Sequence, residues 1–177
     1  DVKALIDASV SATTDGIFLL DKKTGVSGAY TIANERLGVG SRSAYNVLTA
    51  EGYPALCDTT SQFVYNASDL KGYFSWSRND GDYTLDKYRS NRFLPGSIAD
   101  SYYSYSAQSF NDPGDPQRTN PLMADLIPLG LCGGGGYVSE PYISTATYPN
   151  ILFDRYCVGY NMAESFYAGS PELFWKG

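Results

Sequence analysis

Glycine and proline punctuate this chain so densely that no apolar pattern runs far before a breaker interrupts it; there are 18 Gly and 9 Pro in 177 residues. Every regular element must therefore be short, and turns must occupy much of the rest. The N-terminus predicts a short helix, capped by Asp1, with Leu5, Ile6, Ala8 and Val10 at roughly helical spacing. Gly16–Leu20 is an apolar run of strand length, Asp21–Gly25 a turn and Val26–Ile32 a return strand, which together read as a hairpin. Tyr30–Leu37 could also turn helical before Gly38 and Gly40. Phe63-Val64-Tyr65 is strand-like, and Gly72–Arg78, Asn79-Asp80-Gly81 and Tyr83-Thr84-Leu85 read as a second hairpin.

Beyond these, Ser101–Ser106 is either an extended strand or a solvated wrapping segment, and Asn111–Pro116 must be loop. Asn120-Pro121 opens a short helix with Leu122, Met123, Leu126 and Ile127 on its apolar face and Pro128 as its stop. Gly133–Gly136 reads as a hinge between a main lobe, residues 1–132, and a tail, residues 133–177, which ends in Leu173, Phe174 and Trp175. The fold expected from these elements is loop-rich α+β. It has short hairpins, short helices and extended irregular segments, and no large regular sheet.

Chemistry is constrained chiefly by what is missing. The chain has no His, so Ser-His-Asp and Cys-His arrangements are impossible and a zinc site lacks its usual ligands. Asp80, Asp82, Asp86, Asp112, Asp115 and Glu140 could supply a carboxylate pair for glycoside hydrolysis, but most stand in turn contexts that call for Asp on backbone grounds. Asn79–Asp82 with Asp86 lacks the spacing of a calcium loop, and Gly38-Val39-Gly40 lacks the lysine of a phosphate loop. The expectation is no catalytic and no metal-binding residue. A net charge of −6 with no basic stripe argues against nucleic acid. No apolar run is long enough to span a bilayer, so no membrane insertion is expected.

The positive signals favour protein–protein contact. The chain carries 16 Tyr, with Arg78, Arg89, Arg92, Arg118 and Arg155 interspersed, and both types are enriched at interface hot spots. Cys57, Cys132 and Cys157 admit three states: one disulfide and a free thiol, three buried thiols, or thioether attachment of a prosthetic group.

Two segments carry a family resemblance. Arg92-Phe93-Leu94-Pro95-Gly96-Ser97-Ile98-Ala99-Asp100 with its Tyr/Ser continuation, and Asp154-Arg155-Tyr156-Cys157, are similar to the γ linker subunits of red-algal phycoerythrin, over about residues 90–160. The resemblance implies a non-enzymatic linker subunit of a light-harvesting assembly, in a chloroplast phycobilisome associated with the thylakoid. Its partners would be the other protein subunits of that assembly. It would carry thioether-linked bilins of phycoerythrobilin or phycourobilin type on Cys57, Cys132 and Cys157. Asp58, Asp154 and Arg155 would pair with pyrrole nitrogens or propionates. Those linkers are usually basic, whereas this chain is acidic. The alternative is a secreted, Tyr-rich β-type binding module or appendage subunit with one disulfide and a glycan at the Asn66-Ala67-Ser68 sequon.

Overall fold

The computed structural model describes residues 2–38, 40–110 and 118–172. Its centre is a five-stranded, all-parallel sheet, which overturns the expectation of a loop-rich α+β fold without a large sheet. The strands are β1 (Ile17–Asp21), β2 (Ala55–Asp58), β3 (Leu70–Ser75), β4 (Phe93–Ser101) and β5 (Gly133–Gly134), in the order β2-β1-β3-β4-β5. The helices are α1 (Val2–Val10), α2 (Ala29–Gly38), α3 (Ala44–Ala50), α4 (Leu85–Tyr88), α5 (Pro149–Cys157) and α6 (Met162–Gly169). The fold is α/β and doubly wound.

Parallel strands are covered on both faces, so they read as short continuous apolar runs rather than alternating ones. All six residues of β3 are buried, as are the last four of β1. One face packs Phe18, Leu20, Phe74 and Ile98 against Ala33 and Leu37 of α2, Ala44 and Leu48 of α3, and Leu152 and Phe153 of α5. The other packs Leu19, Tyr73 and Ala99 against Phe63, Tyr88, Met123 and Leu126. Ring pairs tie the layers together, among them Phe18–Phe153 at 5.2 Å and Phe74–Tyr102 at 4.6 Å, both edge-to-face.

Neither expected hairpin forms. After β1 the chain passes through a turn into α2, whose Ala33 and Leu37 bury themselves better than a return strand at Val26–Ile32 could. After β3, Ser77 takes φ 52° and turns the chain into a short 3-10 helix, Ser77–Asn79, so Asn79-Asp80-Gly81 leads towards α4 instead of a return strand. Phe63–Tyr65 is loop, and Leu122–Pro128 forms two 3-10 turns instead of one helix. The expected loop at Asn111–Pro116 and the apolar end Leu173–Trp175 lie outside the described residues, apart from the preceding Ser170–Glu172.

The glycine run has a packing reason. Gly133 and Gly134 pair with Ile98 and Ala99 as the fifth strand. A Cβ on Gly133 would stand 1.6 Å from Met162 Sδ, and one on Gly134 2.2 Å from Met123 Cγ. The run lets helical side chains press onto the sheet margin from both faces.

Caps define the helices. Ser43 Oγ accepts from the Asn46 N–H at the start of α3, and Asn161 and Glu164 form a reciprocal capping box at the start of α6. Asp125 is wholly buried and is held by Arg89, Arg118 and the Leu122 N–H, which pins the Leu122–Leu129 turns against α4.

Candidate functional site at the carboxyl edge of the sheet

In an open α/β sheet, ligands bind outside the carboxyl ends of the strands, where successive connections leave on opposite faces. That divergence lies here between β1 and β3: β1 leads to α2 on one face, and β3 leads to α4 on the other. Trp76 stands at this point. Its indole Nε1 donates to Asn34 Oδ1 at 2.6 Å, Lys23 Nζ lies 5.8 Å from its ring centre, and Tyr30 packs at 5.7 Å.

Four strands end in Asp or Ser. Register pairs Asp58 with Asp21, Asp21 with Ser75, and Ser75 with Ser101. Paired residues of neighbouring strands share a face, so these four form one polar row across the carboxyl edge. Ser77 folds back over the row, its N–H donating to Ser75 Oγ at 3.1 Å. Asp80 follows it, with its own N–H on the Ser77 carbonyl at 2.9 Å and its Oδ1 accepting from the Asp82 N–H.

Except for the half-buried Asp58, the row is buried, and it is incompletely satisfied. Asp21 is 1% exposed and Ser77 0%. Asp21 Oδ2 accepts from the Val64 N–H at 3.1 Å, while Asp21 Oδ1, Ser77 Oγ and Ser101 Oγ have no hydrogen-bond partner. Buried polar atoms are ordinarily paired, so each of these three orphans, spread over the ends of β1, β3 and β4, has room for a hydrogen bond from a water or ligand. Burial pushes the Asp21 carboxyl up to about 8, with Asp80, Asp58 and Asp82 adding to the rise and the Val64 N–H opposing it. Asp21 is therefore a neutral acid at physiological pH, able to donate a hydrogen bond or a proton. Among the described residues, no three acidic or Cys side chains converge as a metal centre requires.

On the other face of the same edge, Tyr30, Tyr102, Tyr103, Tyr137 and Tyr142 line a shallow cleft of about 60 Å³ with Asn79 and Glu140. Asn79 bridges to it by donating to the Tyr102 carbonyl at 2.6 Å. Beneath it, the Thr147 hydroxyl donates to Asp100 Oδ2 at 2.6 Å and the Thr147 N–H donates to the Tyr137 hydroxyl oxygen at 2.7 Å.

The residues singled out from the sequence lie elsewhere, with one exception. Asp58 is in the row, where it accepts from the Thr60 N–H and hydroxyl. Cys57 precedes it on β2 and points to the opposite face, over Gly38 and Lys22. Asp154 and Arg155 face each other across 3.6 Å on α5. Cys157 ends that helix, and burial pushes its thiol up to about 12. Cys132 sits just before β5, at the amino edge. All three thiols are free and partly exposed. Cys132 and Cys157 border neighbouring grooves that share Tyr156 and Ala12, while Cys57 lies at the far side of the sheet. Residue-by-residue reading missed Asp21, Ser75, Ser77 and Ser101. The signal for Asp21, Ser75 and Ser101 is the repeated ending of short apolar runs, Ile17–Asp21, Tyr73–Ser75 and Ile98–Ser101, in a small polar residue, and none exists for Ser77.

No protein-family model, curated protein or solved structure matches this chain. Fold and site define a doubly wound α/β protein with a largely buried acidic and hydroxylic row at the carboxyl edge of its sheet. No helix among the described residues is long and apolar enough to cross a membrane.

Proposed function

We propose that the protein binds a small polar ligand at the carboxyl edge of its sheet and exchanges a proton with it through Asp21, an acid–base site of enzyme type. The observation that carries this reading is the orphaned Asp21 Oδ1, buried at the end of β1, with unpartnered hydroxyls on Ser101 at the end of β4 and on Ser77 just past the end of β3, the strand between them. A carboxyl that titrates near neutrality has the acidity that general acid–base chemistry requires. Ser77, two residues past the end of β3 and held at φ 52°, adds a buried hydroxyl near the Ser75 position of the row. The 59–69 segment covers the row through Val64 and Phe63, so the ligand enters as that segment lifts.

The test is ligand-observed binding of a panel of monosaccharides, nucleotides and short-chain carboxylic acids to the native chain and to Asp21→Asn. Binding that weakens in the native chain as pH rises through about 8, and that is flat with pH in the variant, supports the reading. Binding with the same pH profile in both would overturn it.

A second reading is the bilin-carrying linker subunit, with Cys57, Cys132 and Cys157 as attachment points. The three free, partly exposed thiols favour it, since none is consumed by a disulfide. Intact mass of the native-source chain after denaturation and reduction decides it. Bilin-sized increments support attachment, and the bare sequence mass removes it.

A further inference from the structure

The tyrosine cleft has no part in the proton exchange at Asp21, and its lining has a chemistry of its own. Tyr30 from α2, Tyr102 and Tyr103 from the chain after β4, and Tyr137 and Tyr142 from the chain after β5 surround about 60 Å³. The floor is fixed. Tyr102 is buried, its ring 5.0 Å from Trp76 and its hydroxyl donating to the Ala33 carbonyl at 3.3 Å. Tyr137 is buried beside it, its hydroxyl donating to Thr147 Oγ1 at 3.2 Å. The rim is open: Tyr103 is half-buried, Tyr30 is 52% exposed and Tyr142 78%.

Glu140 is the one charged side chain among the described residues of the lining. It accepts from the Ser104 hydroxyl at 2.8 Å, and among the described residues no Lys or Arg forms an ion pair with it. Lys23 and Arg78 stand outside the lining, Lys23 over the Trp76 ring and Arg78 donating to Thr119 Oγ1 at 3.0 Å. Elsewhere the chain sets its own cations over its tyrosines: Arg36 over Tyr148, Lys87 over Tyr65 and Arg155 over Tyr160. Among the described residues none is set over Tyr30, Tyr103 or Tyr142.

Charge and size narrow the occupant. A carboxylate lines the cleft and no cation does, which disfavours an anion. A water-sized group takes about 10–15 Å³ of such a space, so the cleft holds roughly four to six heavy atoms. A hexose has about twice that number, whereas a nitrogen with its four carbons matches it. We propose that the cleft is an aromatic cage for a quaternary ammonium group, with Tyr30, Tyr103 and Tyr142 around the cation and Glu140 as its counter-charge. The head group belongs equally to a choline-like small molecule and to a trimethylated lysine side chain. The site does not depend on Asp21.

The experiment is calorimetric titration of the native chain with choline, with its neutral isostere in which carbon replaces the nitrogen, with N-acetyl-trimethyllysine amide and with methyl glucoside. The expected result is that choline or the lysine derivative binds at least tenfold tighter than the isostere and the glucoside. The tighter of the two ammonium probes identifies the source, a free small molecule or a modified side chain. Tyr142→Leu should weaken ammonium binding by about two- to fivefold, as loss of one ring from a cage does. Glu140→Gln should weaken it comparably and leave the isostere unaffected. Both side chains are exposed, so neither change endangers the fold. Asp21→Asn should leave ammonium binding unchanged, which separates this site from the row. Equal affinity for the isostere, preference for the glucoside, no binding of either ammonium probe at millimolar concentration, or binding lost in Asp21→Asn and kept in Tyr142→Leu would overturn the proposal.

Discussion

Replacing Asp21 by Asn isolates one buried proton and makes the stability of the fold report on it. The carboxyl moves from an ordinary value of 3.8 in the unfolded chain to about 8 in the folded one. The folded state therefore binds this proton more tightly. The contribution is complete below the unfolded value and is lost as pH rises to the folded one. Between those limits only the unfolded chain has released the proton, so native stability falls by about 1.4 kcal/mol per pH unit. From pH 5 to pH 7 the loss is about 2.7 kcal/mol, or roughly 1–2 M in urea midpoint for a domain of this size. Asn has no proton to release, and its side-chain oxygen can still accept from the Val64 N–H. Urea unfolding of both chains at pH 5, 6 and 7 gives the difference, because titrating groups remote from Asp21 and from its neighbours Asp58, Asp80 and Asp82 cancel between the two chains. The variant should gain on the native chain at each step, overtaking it at neutral pH if the amide fits. Parallel pH dependences in the two chains would refute the assignment of a neutral, buried carboxyl to Asp21.

Asp125→Asn should destabilise the chain by about 3–5 kcal/mol, because Arg89 and Arg118 are left without their shared buried partner; the urea midpoint reads this. Gly130→Ala should cost about 2 kcal/mol or more, since φ is +103° there and the new Cβ would stand 2.5 Å from the Phe93 carbonyl oxygen; thermal unfolding checks it. Ser43→Ala should lose about 1 kcal/mol through the cap of α3, with hydrogen exchange increased in the first turn of that helix.

What could be read from the sequence follows from how local each signal is. The runs that became β1 and α2 are visible because Phe18-Leu19-Leu20 and Ala33/Leu37 carry their own patterns. The partners of β1 are not visible. A parallel strand joins its neighbours through long crossovers, and nothing local distinguishes Tyr73-Phe74 in a hairpin from Tyr73-Phe74 in the centre of a parallel sheet. Asn79-Asp80-Gly81 has the chemistry of a hairpin turn, and the positive φ that such sequences invite is taken two residues earlier, by Ser77. Pro95-Gly96 and the four glycines conceal β4 and β5, because their value lies in what packs against them. The candidate site was obscured for the same reason. Asp21, Ser75 and Ser101 are 54 and 26 residues apart in the chain and become neighbours only through register. Asp58 was singled out for its position next to Cys57, yet the sheet directs the two side chains to opposite faces.

Trp76 gives this molecule a native spectroscopic probe. Its indole is bonded to Asn34 from α2, overlain by Lys23 from the turn after β1, and anchored to the end of β3, so three segments that meet at the divergence of the sheet set its surroundings. Any event that parts those segments alters the polarity around the ring and the amine available to quench it. In a Trp175→Phe chain, which leaves Trp76 as its one tryptophan, emission thus records the opening of the carboxyl edge in solution, without an attached label and without knowledge of the ligand.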